Sequence, residues 1–165
     1  MNKPLKRTSQ EELEALIAND IKDFSYLDLS KLYLEGIILR GANFTGANLE
    51  EADLTGAIFR EANFTGANLT RANLWTTDLT GANLTGANLR EADLEAVYFI
   101  GANLTGAKLE RANLTGADLS AAFLYQANLA GANLEGANFK GADLVKADFT
   151  QAVNLHKAIN LILPK

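Results

Sequence analysis

Residues 41–50, GANFTGANLE, contain the repeat that decides the fold: a large apolar residue every fifth position, Ala two places before it, and Asn or Asp between them. The next five residues, EADLT, repeat the pattern. An α-helix places apolar residues three and four apart, and a β-strand places them two apart. A period of five matches neither, so it indicates a repeat that belongs to the architecture of the whole fold.

The repeat continues without insertion from Phe24 to Phe149, and Ala occupies its position from Ala42 to Ala147 except at Thr77 and Val97. Residues two apart in an extended segment point to the same side, so Ala and Leu or Phe face inward while Asn or Asp faces outward. The remaining two positions, often Thr-Gly, turn a corner, because Gly tolerates the backbone angles that a corner needs. Short walls joined by corners predict a solenoid.

Departures from the repeat recur at intervals of twenty residues. Thr77 and Val97 share this phase, and so do the residues that replace Asn or Asp at Ile38, Ile58 and Tyr98. Phe also recurs at this interval in the large apolar position. A shared phase of twenty predicts that residues i and i+20 stack, so four walls form one coil.

The stretches ANLTGANLR (82–90), ANLTGADLS (112–120) and ANLEGANFKGADL (132–144) resemble the pentapeptide-repeat family, whose consensus is A(D/N)LXX. The uninterrupted repeats are similar to those of the many cyanobacterial members. The resemblance covers about residues 22–155. It implies an all-β solenoid, a right-handed quadrilateral β-helix of about 6.5 coils, with Ala and the large apolar residues inside.

Both ends of the chain depart from the repeat, which predicts three segments: an N-terminal capping segment (1–21), the β-helix (22–155) and a C-terminal tail (156–165). Ser9 and Glu12 have the spacing of a capping box, so we expect a short α-helix over residues 9–19 that lies on the first coil. Leu161–Leu163 either fold across the last coil or form an apolar patch for a second copy. The chain is therefore expected to be a monomer or a C-terminally associated dimer.

Composition excludes several classes of function. The 165 residues include no Cys and one His, and the net charge is −5. These counts leave no disulfide or thiolate metal site, and the charge gives no reason to expect direct nucleic-acid binding. No stretch has the apolar length of a membrane span or of a secretory signal, so a cytoplasmic protein is expected. No nucleophile–base pair or metal-ligand spacing is visible, which predicts a protein that is not an enzyme and has no cofactor.

Two surface columns are candidates for contact with a protein partner. One carries acidic residues around the only Trp, and the other carries apolar residues where the repeat has polar ones. Cover for the neighbouring corners is the alternative interpretation of both columns. The candidate interaction surface comprises Ile38, Ile58, Tyr98, Ile100, Trp75, Glu35, Asp53, Asp93 and Glu95.

A third column alternates in charge from coil to coil and predicts a self-satisfied ion ladder. Its members are Lys31, Glu51, Arg71, Glu91 and Arg111.

The sequence therefore favours a non-catalytic protein-interaction scaffold with an unidentified protein partner. Some members of the resembled family mimic DNA and modulate DNA gyrase, and the acidic column keeps that alternative open. A second alternative is a subunit of a larger assembly that binds through Ile38, Ile58 and Tyr98.

Overall fold

The computed structural model describes residues 5–163, and its repeat closes into a coil of twenty residues. Parallel bridges join residues twenty apart, from Asp23 with Asn43 to Asn133 with Val153. Because the chain turns after every fifth residue, each coil has four sides, which we name by their inward residues. Faces A, B, C and D contain Phe24, Leu29, Leu34 and Leu39, respectively, with the equivalents at intervals of twenty.

Each corner uses a left-handed backbone conformation. Every fifth residue from Tyr26 to Gln151 has a positive φ, and all 13 glycines occupy such corners. At a representative corner the Ala47 N–H donates to the Phe44 carbonyl at 3.0 Å. A four-residue turn with positive φ at its third residue alone is a type II turn, which explains the Gly of the repeat.

The Asn or Asp in the middle of each side caps the corner that follows it. Asn63 shows the arrangement: its Oδ1 accepts the Thr65 N–H at 3.0 Å and the Thr65 hydroxyl at 2.6 Å. This Asx turn recurs at every Asn and Asp of the middle position from Asp23 to Asp148, which is the physical reason for the consensus. Other residues replace the cap at Tyr33, Ile38, Ile58, Tyr98, Lys108 and Phe123.

The interior is a continuous stack of Ala, Leu and Phe side chains. Phe24, Phe44 and Phe64 lie parallel, with ring centroids 4.9 and 4.7 Å apart, and Phe59 meets the latter two edge-on. These separations equal the usual spacing between β-strands, so equivalent side chains of successive coils are in contact. Thr77 is buried in an Ala position, where its hydroxyl donates to the Leu54 carbonyl at 2.8 Å.

The N-terminal segment lies on the first coil. Strand β1 (Lys6–Arg7) pairs in parallel with strand β2 (Leu27–Asp28). Helix α1 (Gln10–Ala18) lies between the two strands in the chain. Ser9 is the N-cap, and both capping-box bonds to Glu12 are present. The helix is one residue shorter at each end than expected, because Ser9 and Asn19 are its caps.

Helix α1 packs on the core through Leu13, Leu16 and Ile17 and contacts the first coil through one polar side chain. Leu13 is fully buried in the core. The Gln10 side-chain amide accepts the Tyr33 N–H and donates to the Tyr33 carbonyl, each at 3.0 Å, so it replaces a backbone peptide of a further coil. Ile21 lies beyond the helix and is 40% exposed. Among residues 5–163 the structure contains no helix with the length and hydrophobicity of a membrane span.

At the C-terminal end the register shifts by one residue. Asn138 bridges Ile159 at a separation of twenty-one, after a 3₁₀ turn at Leu155–Lys157. Asn154 takes a left-handed conformation and donates to Asn133 Oδ1 at 2.8 Å, which leaves Leu155 to pack against the core.

The last apolar residues are only partly covered. Leu161 packs against the core, whereas Ile162 is 84% exposed and Leu163 is also exposed. The expectation that all three fold across the last coil therefore holds for Leu161 alone.

Candidate protein-interaction surface

The alternating charges of face B form paired contacts between neighbouring coils. Lys31 Nζ lies 3.3 Å from Glu51 Oε2, and Arg71 Nε donates to Glu91 Oε2 at 2.9 Å. Arg111 approaches Glu91 at 3.9 Å, whereas Glu51 and Arg71 do not come within salt-bridge distance. The hydrogen bond from Arg71 and its charge lower the pKa of Glu91. The ladder thus consists of one ion pair, Lys31 with Glu51, and one group of three, Arg71, Glu91 and Arg111. Its charged side chains interact with one another.

The apolar column on face D is interrupted. Ile38 bridges Ile58, but Asp78 lies between Ile58 and Tyr98. The guanidinium of Arg60 donates to Asp78 Oδ2. Ile38, Ile58 and Tyr98 lie in one column, as the phase of twenty predicts, but the ion-paired carboxylate of Asp78 separates Tyr98 from the two isoleucines. Tyr98 and Ile100 form a separate apolar group further along the face.

The environment of Asp78 favours its charged form. Burial opposes ionisation, but hydrogen bonds from Thr80 and Arg60 together outweigh it, and the pKa of Asp78 lies below its ordinary value. The side chain thus remains a carboxylate next to Tyr98 at neutral pH.

Face C carries acidic side chains that take part in no salt bridge among the described residues: Glu35, Asp53, Asp93 and Glu95. Asp53 bridges Asn73, which bridges Asp93. Trp75 projects from this face and is 48% exposed. At the far end of the face Lys157 lies 2.7 Å from Glu135, a contact that only the shifted C-terminal register produces.

Trp75 and Tyr98 lie on either side of the corner that joins face C to face D, one coil apart. Thr76 and Ala96 are the corner residues between the faces, whereas Ile100 lies beyond Tyr98 on face D, beside the next corner at Gly101. We name Trp75, Thr76, Ala96 and Tyr98 the aromatic edge. The two columns that the sequence presented as separate candidates thus meet at one edge of the coil.

The corner of the aromatic edge differs from the equivalent corners of other coils. Thr76 and Ala96 have φ values of 54° and 53°, although the same corner is Gly at positions 36, 56, 116 and 136. A residue with a Cβ costs roughly 1–2 kcal/mol in this conformation. Tyr98 also leaves the Ile100 N–H without an Asx cap.

Glu35 and Ile38, the remaining predicted residues, lie in the first coil and are exposed. They do not belong to the aromatic edge. Within residues 5–163 no group of three or more His, Asp or Glu side chains could hold a metal ion.

A family model describing pentapeptide repeats matches residues 23–60, 37–75, 57–95, 77–116 and 112–151, most of the chain. The chain belongs to the pentapeptide-repeat family. Proteins of this family form right-handed quadrilateral β-helices and are generally non-catalytic. No curated protein matches the chain significantly.

Solved structures of the family include cyanobacterial proteins similar to this chain. HetL of Nostoc sp. strain PCC 7120, described as involved in the regulation of heterocyst differentiation, is 34% identical, covers 79% of each chain and has a TM-score of 0.41. Rfr23 of Cyanothece 51142 is 25% identical over 90% of this chain and 97% of its own, with a TM-score of 0.51.

QnrB1, a plasmid-mediated fluoroquinolone resistance protein, is 22% identical over 82% of this chain and 75% of its own, with a TM-score of 0.42. An identity this low shows a shared fold alone.

Proposed function

We propose that this pentapeptide-repeat protein is a non-catalytic scaffold that binds another protein through the aromatic edge and the adjoining face C. In this proposal residues 22–155 form a rod of about six and a half coils, closed at one end by the helical segment 1–21. A rod of stacked coils holds side chains on its faces at fixed spacing, which suits it to present a contact surface without moving.

The observation that carries the proposal is the position of the departures from the repeat. The other corners between faces C and D, at positions 36, 56, 116 and 136, are Gly, whereas Thr76 and Ala96 take the left-handed conformation there and so give up stability. The same segment exposes Trp75 and Tyr98, two residue types enriched at the centres of protein interfaces. A structural role for these residues gives no reason to expose both rings on one edge.

A photo-crosslinking experiment tests the proposal. We would place p-benzoylphenylalanine at position 100, on face D two residues beyond Tyr98 of the aromatic edge, and in a second protein at position 105, on face A. Ile100 and Thr105 occupy the same place in consecutive repeats, so the two probes are matched in backbone setting. In lysate of the organism that encodes the chain, a discrete covalent adduct is expected from position 100 alone. Equal adducts from both positions, or none from position 100, would refute the proposal.

A role in modulating a DNA topoisomerase has no observation of its own. The likeness to QnrB1 concerns the fold, and the charges of face B are paired with one another. Assembly through Ile38, Ile58 and Tyr98 as one stripe is weakened by Asp78, which separates them. The unidentified partner, the expected cytoplasmic location and the oligomeric state remain predictions from the sequence.

A further inference from the structure

We infer that the partner presents a basic segment, an extended stretch of chain bearing Lys or Arg, which docks along face C against the aromatic edge. This inference rests on the proposed function and specifies the chemistry of the partner. The exposed rings of Trp75 and Tyr98 mark the proposed binding site, and the charged side chains near them indicate the chemistry of the partner.

The carboxylates beside Trp75 are held in place by one oxygen and leave the other available. Asp53 Oδ1 accepts the Thr55 N–H and hydroxyl, and Asp93 Oδ1 accepts the Glu95 N–H and the Asn113 amide. The Oδ2 atoms of both have no hydrogen-bond partner among the described residues. The side chains are therefore oriented before any ligand arrives, which lowers the entropy cost of binding.

Face C lacks compensating cations along this stretch. From residue 32 to residue 116 its outward positions contain no Lys or Arg. On face B, by contrast, Glu91 lies between two arginines, and on face D Asp78 is paired with Arg60. A surface whose carboxylates take part in no salt bridge attracts a cationic partner and repels an acidic one.

The aromatic rings suit the same partner. A Lys ammonium or an Arg guanidinium binds favourably over the face of Trp and, less strongly, of Tyr. Trp75 and Tyr98 are 48% and 47% exposed, so both present ring surface to solvent. A basic side chain can therefore contact an aromatic ring and a carboxylate of face C together, whereas a neutral apolar segment would leave the carboxylates desolvated and unpaired.

Trp75 is the only Trp of the chain, so its fluorescence reports directly on this site. The test titrates the full chain with three peptides of equal length, composed of alternating Lys and Ser, Gln and Ser, or Glu and Ser. At near-physiological ionic strength the Lys peptide is expected to change the Trp75 emission saturably. The Gln and Glu peptides are expected to leave it unchanged.

Two double variants distinguish a docking site from general attraction to an acidic protein. Asp93→Asn with Glu95→Gln removes two charges at the site, and the matched control, Glu61→Gln with Asp143→Asn, removes two elsewhere. The first pair is expected to weaken binding of the Lys peptide about fivefold, and the control less than about twofold. Tyr98→Asn, which restores the Asx cap, is expected to weaken binding about threefold while the chain stays folded.

The outcomes separate the inference from the proposed function. If all three peptides fail to bind while position 100 still crosslinks to a protein, the partner is not basic and only the inference falls. Equal weakening by both double variants, or binding of the Glu peptide, also overturns it. If position 100 gives no adduct, the proposed function falls independently of the peptide result.

Discussion

Face A between residues 43 and 106 and the aromatic edge are built from the same repeat. Face A keeps the consensus residues at its corners, whereas the aromatic edge replaces them. In four successive coils, face A has Asn, a buried Phe or Leu, Thr and Gly, from Asn43 to Gly106. Every corner there has a Gly with positive φ and an Asx cap. The aromatic edge has Thr76 and Ala96 in left-handed corners, and Tyr98 in place of a cap.

The difference shows what each position of the repeat supplies. The large inward residues are Leu or Phe in both regions, and the inward side differs only at Thr77 and Val97, which replace Ala beside the aromatic edge. The main difference lies in the outward residues. Asn and Gly stabilise the corner but provide little contact area for a partner, whereas Trp and Tyr provide contact area and leave the corner less stable. Four changes test this contrast, and they follow in order of expected effect.

The largest effect is expected from strain introduced into face A. Gly66 has a φ of 65°, and a Cβ added there would meet no atom within 4 Å, so any loss of stability reflects backbone conformation alone. Gly66→Val should lower the free energy of unfolding by about 2–3 kcal/mol, because β-branched residues strongly disfavour positive φ. Urea denaturation measures this. Gly66→Asn is the control, with a loss below about 1 kcal/mol, and an equal loss in both would show that φ is not the cause.

Loss of a cap on face A is expected to have the next largest effect. Asn63→Ala removes the acceptor for the Thr65 N–H and hydroxyl and should reduce the free energy of unfolding by about 1–1.5 kcal/mol. Asn63→Asp keeps the Oδ1 acceptor and should be within about 0.5 kcal/mol of the original protein. If chemical denaturation gives both variants the same stability, the Asx turn does not explain the consensus.

Much of the fold follows from the sequence because its rules are local and repeated. The period of five, the phase of twenty shared by Thr77 and Val97, and the spacing of Ser9 and Glu12 each express one geometric requirement. The Asx caps could also have been anticipated, because Asn or Asp two residues before a turn position is a known signal. The repeat pattern was used to predict only that these Asn and Asp side chains face outward.

Other features needed coordinates because they join distant residues without a shared spacing. Gln10 meets the backbone of Tyr33 only when helix α1 lies on the first coil. Lys157 reaches Glu135 only after the one-residue shift at the C-terminal end. The meeting of Trp75 and Tyr98 at one edge depends on which faces adjoin, which separate columns of residues do not show.

Relief of strain at the aromatic edge should give a smaller change of opposite sign. Ala96→Gly removes a Cβ from a left-handed corner and should raise the free energy of unfolding by about 0.5–1 kcal/mol, after allowing for the greater entropy of Gly in the unfolded chain. Ala130→Gly is the control: Ala130 has no positive φ, so a loss of about 0.5–1 kcal/mol is expected. A loss in both variants would mean that Ala96 is not strained.

The smallest effect concerns pH, since acids cap some corners on face D whereas neutral Asn caps those of face A between residues 43 and 106. Hydrogen bonds from Thr80 and Arg60 hold the pKa of Asp78 below 3.8 against the opposing effect of burial. A pKa lowered by folding gives stability that is present above the unfolded-state pKa and is lost as pH falls through the folded-state value. The contribution of Asp78 should therefore be complete at about pH 6 and should decline as the pH falls below about 4, and its size should be on the order of 0.5 kcal/mol.

Asp78→Asn keeps the acceptor for the Thr80 N–H but cannot ionise. Denaturation should therefore find it less stable than the original protein at about pH 6, by a difference that shrinks as the pH falls below about 4. The other carboxylates with lowered pKa values, Asp23, Asp28, Glu91 and Asp148, are present in both proteins and cancel in the difference. A stability difference that does not change with pH would show that the charge of Asp78 plays no part in holding the corner next to Tyr98.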